Sequence, residues 1–260
     1  MTAAAAILAV LSGGLVGFSL GAIGGGGSIL AVPLLMYVVG IGDPHVAIGT
    51  SALAVAVNAF ANVFGHWRGG TVKWPCAAVF AASGAAGAAL GSTLGKITDG
   101  RALLLLFALA MLVVGSAMLR PRAGGGDPEV RIDPRIALRL IGIGLLTGAI
   151  SGFFGIGGGF LIVPGIMLGS GMPIINAIGS SLLSVGVFGL TTAANYALAG
   201  LIDWPVAGAF IAGGIGGGIL GMKAAIALAP RKQALTRIFA GFVLAVAAYM
   251  LARSGYALFG

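Results

Sequence analysis

Ten apolar segments fill most of this 260-residue chain, and none of them contains an acidic residue. They run roughly from 4–23, 27–41, 46–66, 74–95 and 102–119, and then from 136–154, 158–171, 176–199, 204–229 and 234–256. Most approach the ~20 residues that a helix needs to cross ~30 Å of hydrocarbon. The second segment of each group is shorter and, at ~1.5 Å per residue, reaches only ~20 Å as an α-helix. With 59% hydrophobic and 8% charged residues and a mean hydropathy of +1.12, the chain reads as an integral membrane protein.

The two groups of five repeat one another. Residues 17–33 read GFSLGAIGGGGSILAVP and residues 148–164 read GAISGFFGIGGGFLIVP. An offset of 131 pairs Gly17 with Gly148, Gly21 with Gly152, Gly24 with Gly155 and Pro33 with Pro164. One residue is then lost, and an offset of 130 pairs Ala47-Ile48-Gly49-Thr50-Ser51 with Ala177-Ile178-Gly179-Ser180-Ser181. Trp74-Pro75 pairs with Trp204-Pro205 at the same offset. The division expected is an N-terminal transmembrane repeat at 1–120, a linker at 121–139 and a C-terminal transmembrane repeat at 140–260. Glycine-interrupted apolar segments at corresponding places in two halves point to a transporter binding site.

Charge supplies topology. Arg120, Arg122, Arg131, Arg135 and Arg139 place the linker in the cytoplasm. The turn with Arg68 and Lys73 then also lies inside, and so does the turn with Arg231, Lys232 and Arg237. The match of 66–73 in the second half, 199–203, carries Asp203 and no Lys or Arg. This asymmetry favours halves of opposite topology. Either five segments cross per half, or three cross and the first two form a re-entrant pair. Both termini are then expected outside. The first segment lacks a basic leader and its equivalent recurs at 136–154, so it is expected to be retained. The fold class expected is an all-α polytopic membrane protein with two homologous repeats of inverted topology. Short broken or re-entrant helices follow the Gly-rich loops.

Five groups of residues could carry chemistry. Gly24, Gly25, Gly26, Gly27 and Ser28, and again Gly155, Gly157, Gly158 and Gly159, each precede a short apolar helix. A helix N-terminus presents unpaired N–H groups and partial positive charge, and glycine admits a ligand close to them. If the segments re-enter, two such ends meet and form an anion site without a buried cation; the plainer alternative is tight packing or a hinge. Thr50, Ser51, Ser180 and Ser181 could donate to an oxyanion or bond back to their own turn. Asn58, Asn62 and Asn195 lie on apolar helices, where amides serve as interhelical glue or meet substrate. His66 could report a proton and Arg68 could steer anions, or both could belong to an interfacial cluster with Trp67 and Lys73. His45 beside Asp43-Pro44 reads as a turn.

All six acids (Asp43, Asp99, Asp127, Glu129, Asp133 and Asp203) fall in connections. That argues against a metal-cation transporter and against a carboxylate proton relay. No Lys-Ser/Thr follows either glycine run, so neither is a phosphate loop. Two separated histidines and the single Cys76 make no metal constellation and no disulfide. No nucleophile–base pair is legible, so no enzyme and no cofactor are expected. The net charge of +8 resides in connections and does not indicate nucleic acid.

The paired glycine clusters ending in Pro33 and Pro164, the paired A-I-G-[ST]-S motifs and the paired Trp-Pro motifs resemble the TauE/SafE sulfite exporter family of bacterial permeases. The resemblance spans essentially the whole chain. It implies transport of a sulfur-containing anion, such as sulfite or an organosulfonate, across the bacterial inner membrane. The expected function is a secondary transporter using alternating access. The rivals are a passive anion channel and a non-transporting membrane scaffold or assembly factor. Expected partners are a small sulfur oxyanion or organosulfonate and the lipid bilayer, with proton coupling and homodimerisation as further candidates.

Overall fold

A computed structural model describes residues 2–119, 126–127, 129–155, 159–227 and 232–259. Among them every regular element is helical: α1 (Ala3–Ile23), a composite α2 over 25–39, α3 (Pro44–Arg68), α4 (Trp74–Ile97), α5 (Gly100–Leu119), α6 (Pro134–Phe154), α7 (Gly159–Ser170), α8 (Ile174–Ala197), α9 (Trp204–Ala227) and α10 (Lys232–Phe259). The ten apolar segments correspond to these ten elements. Seven of them, α1, α3, α4, α5, α6, α8 and α9, include stretches long and apolar enough to cross a membrane.

The helix starts follow from local chemistry. Asp43 accepts hydrogen bonds from the His45 and Val46 amides at 2.7 and 3.4 Å, ahead of Pro44. Asp133 accepts from the Ile136 amide at 2.7 Å ahead of Pro134, and Asp203 from that of Val206 at 3.1 Å. Asp99 accepts from Arg101 and Ala102 at the head of α5. Four of the six acids thus cap helices, since a carboxylate there satisfies orphan N–H groups and faces the positive end of the dipole. The exception to regular structure is α2. It passes from a 3-10 turn (Gly25–Leu30) through one α turn (Ala31–Leu34) into a π turn (Leu35–Val39). A run of glycines weakens its start, and Pro33 brings no N–H to its middle.

Close packing fixes the directions of the helices. Along α1, Gly13, Gly17 and Gly21 face the carbonyls of Phe210, Gly214 and Gly218 on α9. In return, Gly213, Gly217 and Gly221 face those of Val10, Gly14 and Phe18. Both sets of numbers rise together, so α1 and α9 run parallel. The same ladder joins α6 to α4: Gly144, Gly148 and Gly152 face Phe80, Gly84 and Ala88, while Gly87, Gly91 and Gly95 face Leu145, Ala149 and Phe153. By contrast α3 and α8 are antiparallel, because Gly49 meets Tyr196, Gly186 meets the Phe60 ring and Gly179 meets Thr71. α5 packs on α10.

With α3 taken as upward, α4 runs down, α5 up, α6 down beside α4, α8 down beside α3, α9 up and α1 up beside α9. The chain must therefore travel from top to bottom between α1 and α3, and from bottom to top between α6 and α8. The short elements α2 and α7 make these journeys in opposite senses. They carry the chain from one end of the bundle to the other rather than returning it to the side it left.

The ladders should tolerate no side chain. Gly17→Leu and Gly148→Leu each drive carbons into a backbone carbonyl that cannot move, and each should cost about 3 kcal/mol or more. Gly142 has open space where a methyl group would stand, with nothing within 4 Å. Gly142→Ala should therefore hold or gain up to ~1 kcal/mol in helix propensity. Thermal unfolding of the three variants in detergent checks both expectations.

Candidate functional site

The two sequence motifs that recur are brought together crosswise. Gly24 closes α1 at φ 80°, a conformation that costs little without a Cβ, and packs on the Ile178 side chain of the second A-I-G-S-S motif. Gly155 closes α6 at φ 65° and packs on the Ile48 side chain of the first. Each glycine elbow is thus seated on the motif of the opposite half. Ile48 lies near the start of α3, and Ile178 lies near the start of α8, beside the far end of α3. The elbows consequently stand toward opposite ends of this 25-residue helix instead of facing each other. The segments that follow them do touch: the 3-10 turn Gly25–Leu30 lies directly against α7. Gly27 folds back onto Ser19 and Leu20 of α1, and Ser28 is wholly buried. Gly159 opens α7, whereas Gly157 and Gly158 lie outside the described residues.

The hydroxyl pairs are fully buried and have divided labour. Ser51 Oγ donates to the Ile48 carbonyl at 2.9 Å and lies 3.2 Å from the Gly155 carbonyl of the other half's elbow. Ser181 Oγ donates to the Ile178 carbonyl at 2.7 Å. Their neighbours reach outward. Thr50 Oγ1 accepts from the Asp203 amide and Ser180 Oγ accepts from the Lys73 amide, both at 2.9 Å. Asp203 and Lys73 are themselves 130 positions apart and precede α9 and α4. In these bonds the hydroxyl is the acceptor, so its own hydrogen remains to donate. Back-bonding is therefore the observed state of Ser51 and Ser181, while Thr50 and Ser180 fasten each half to the other's connection.

The amides differ in their settings. Asn62 Nδ2 donates to the Asn58 carbonyl at 2.8 Å. Asn58 is wholly buried against Gly214 of α9, and both of its amide atoms are unpartnered. Asn195 is elsewhere, at the far end of α8. Its Oδ1 and carbonyl accept from Lys96 Nζ at 2.6 and 3.1 Å, and its Nδ2 donates to Ser92 and Thr93 at 2.7 and 3.0 Å. The structure thus uses Asn195 to accept hydrogen bonds from a lysine at a helix C-terminus, where cations are favoured, and its hydrogen bonds go there rather than to either glycine elbow.

His66 and Arg68 share one end of α3. The Arg68 guanidinium lies 4.4 Å from the Phe64 ring centre, and Phe64, Trp67 and Trp74 form a ring cluster. This is the amphipathic belt expected at a membrane interface. His66 Nδ1 lies 3.1 Å from Thr71 Oγ1, and Thr71 packs on Gly179 and accepts from Asn176 Nδ2 at 3.2 Å through its carbonyl. His66 therefore sits on the connection that docks against the second A-I-G-S-S motif.

Sequence reasoning did not single out Ser151, Ser184, Thr192 or Tyr196, whose buried oxygens are likewise unpartnered. Isolated polar residues on apolar helices were the available signal. At the other end of the molecule, a cavity of about 370 Å³ is lined by Val39–Asp43, Val46, Asp203 and Val206 together with Ala5. No group of three or more His, Cys, Asp or Glu residues among the described residues could hold a metal.

Known proteins give this arrangement a context. A "probable membrane transporter protein" of Xylella fastidiosa is 53% identical over 255 residues, 98% of each chain. The "probable membrane transporter protein YunE" of Bacillus subtilis is 28% identical, with 83% of this chain and 86% of that one covered. The MJ0441 protein of Methanocaldococcus jannaschii, described in the same words, is 28% identical over 73% of this chain and 70% of its own. No solved structure matches. The family model described as sulfite exporter TauE/SafE matches residues 9–250, and the chain belongs to that family of membrane proteins.

Proposed function

We propose that this membrane transporter is a secondary carrier of a small sulfur-containing anion, sulfite or an organosulfonate. One observation carries the reading: each glycine elbow rests on the hydroxyl motif of the opposite half, and the two short segments that follow touch one another. Motion of one half against the other must disturb both elbows and both hydroxyl pairs together. The arrangement suits alternating access by two inverted repeats, with the glycines as hinges. Contacts that interchange under the sequence offset support the repeat, as α1 on α9 matches α6 on α4. The antiparallel pairing of α3 with its equivalent α8 is the contact that an axis across the helices would give, and it supports inversion.

In this reading the N–H groups of Gly25, Gly26 and Gly27 and, toward the other end of α3, those of the second glycine cluster meet the anion's oxygens in turn as the short segments part. Thr50 and Ser180 add O–H donors, and Ser51 and Ser181 do so once they leave their own carbonyls. No basic side chain is needed in the interior, because amide dipoles supply the positive potential. Arg68, Lys73 and His66 mark the cytoplasmic mouth and draw anions in. The cavity bearing Asp43 and Asp203 forms the opposite mouth, whose carboxylates favour anion departure.

Two measurements test the proposal. Purified protein should be stabilised by a sulfur anion and not by acetate or chloride. A ligand at ~100 times its Kd contributes about 2.7 kcal/mol, and Thr50→Val or Ser180→Ala should diminish that shift. No shift with sulfite, thiosulfate, sulfoacetate or taurine would overturn the anion assignment. Inverted repeats with five traverses per half should leave both chain ends outside the cell. Alkaline phosphatase fused at either end should be active, and activity at one end only would overturn the topology.

A further inference from the structure

The antiparallel helices α3 and α8 cross at mid-length, and the two halves differ in chemistry at that level. Phe60 meets Gly186 there, and Ala56 meets Gly189. Between these contacts stand Asn58 on α3 and Phe188 on α8. They are equivalent positions, since 188 − 58 = 130. Each enters the same kind of socket. The Asn58 amide lies against Gly214 of α9, at a spot a methyl group would fill. The Phe188 ring lies against Gly84 of α4 in the same way, and 214 − 84 is again 130. Phe188 also stacks on Phe80, with ring centres 6.1 Å apart and planes 21° from parallel. The equivalent of Phe80 is Phe210, which is equally buried. One socket is therefore plugged by a pair of rings, and the equivalent positions of the other are held by Phe210 and the Asn58 amide.

That amide is badly served by its own protein. Asn58 has no solvent exposure, and neither Nδ2 nor Oδ1 has a hydrogen-bond partner. Because both ends are unpaired, turning the amide over changes nothing. Buried polar groups are normally satisfied, and one left without partners in an apolar setting is costly. The cost is borne where the other half shows that a phenyl ring fits.

We propose that Asn58 is the substrate-contacting side chain of a one-sided site at the level where the halves cross, and that Phe188 with Phe80 closes the equivalent socket. The proposal rests on the transporter reading above. It adds a requirement on the ligand. An amide offers two N–H donors and a carbonyl acceptor. A ligand that satisfies it brings an oxygen acceptor and a hydrogen donor together, as hydrogen sulfite does. A fully deprotonated dianion satisfies only the N–H end.

Asn58→Phe tests this, because it removes the unpaired amide and supplies the ring that its equivalent, Phe188, already carries. The expected result has two parts. Without anion, the variant unfolds at a temperature no lower than that of the parent. With hydrogen sulfite, the stabilisation seen for the parent is lost. Asn58→Leu, which needs less room, should behave in the same way. A fall in the anion-free unfolding temperature of both variants makes the amide a structural group and overturns the proposal. A full response to hydrogen sulfite in N58F overturns it too, while leaving the transporter reading intact. A parent that responds to no sulfur anion sinks the transporter reading and this proposal with it.

Discussion

The fold depends on backbone meeting backbone. In hydrocarbon no solvent drives apolar side chains together, so helices associate where they can approach most closely. Here two ladders of glycines spaced four apart place Cα atoms of one helix against carbonyls of the next, on α1 with α9 and on α4 with α6. Each pair joins elements from different halves. Close approach gains dispersion and Cα–H···O contacts over several turns, and it leaves no room for adjustment. The remaining helices are positioned by these two bolted pairs. The central crossing of α3 and α8 lies between them, and α5 pairs with α10.

The same crosswise logic governs the polar groups. Thr50 and Ser180 act as remote caps, accepting from amides that precede α9 and α4. Ser51 ties one motif to the opposite elbow at Gly155. These bonds are equivalent in geometry, but their surroundings differ in charge. The residue whose amide Thr50 holds is Asp203, and the residue whose amide Ser180 holds is Lys73. A nearly symmetric scaffold thus carries an asymmetric electrostatic profile, which a scaffold needs if the two sides of a membrane are to be treated differently.

Much of this architecture is legible in the order of residues alone. Apolar runs bounded by Asp-Pro and Trp-Pro predict α3, α4, α6 and α9 to within a few residues, because capping and proline chemistry are local. The composite α2 is harder to read. Its course is decided by competition between four glycines, a proline without an N–H and the need to reach the other end of the bundle. Partner choice is not legible either: Gly13, Gly17 and Gly21 advertise a close-packing face but say nothing of what covers it. Asn195 shows the limit for site residues. An amide on an apolar helix is written alike whether it meets substrate or, as here, a lysine and two hydroxyls of the next helix. The traverses of α2 and α7 emerge only from the directions of the longer helices.

The interlocking of halves sets an order of assembly. The partner of α4 is α6, which follows after one helix and a linker. The partner of α1 is α9, roughly 200 residues later in the chain, or about ten to forty seconds of synthesis at ~5–20 residues per second. Until then α1 must wait in the bilayer with its glycine face uncovered. Neither half alone contains both members of a ladder, so a half expressed by itself has no bolted pair. The two ladders are alike in geometry yet unequal in time: α4 with α6 closes early and α1 with α9 only late in synthesis.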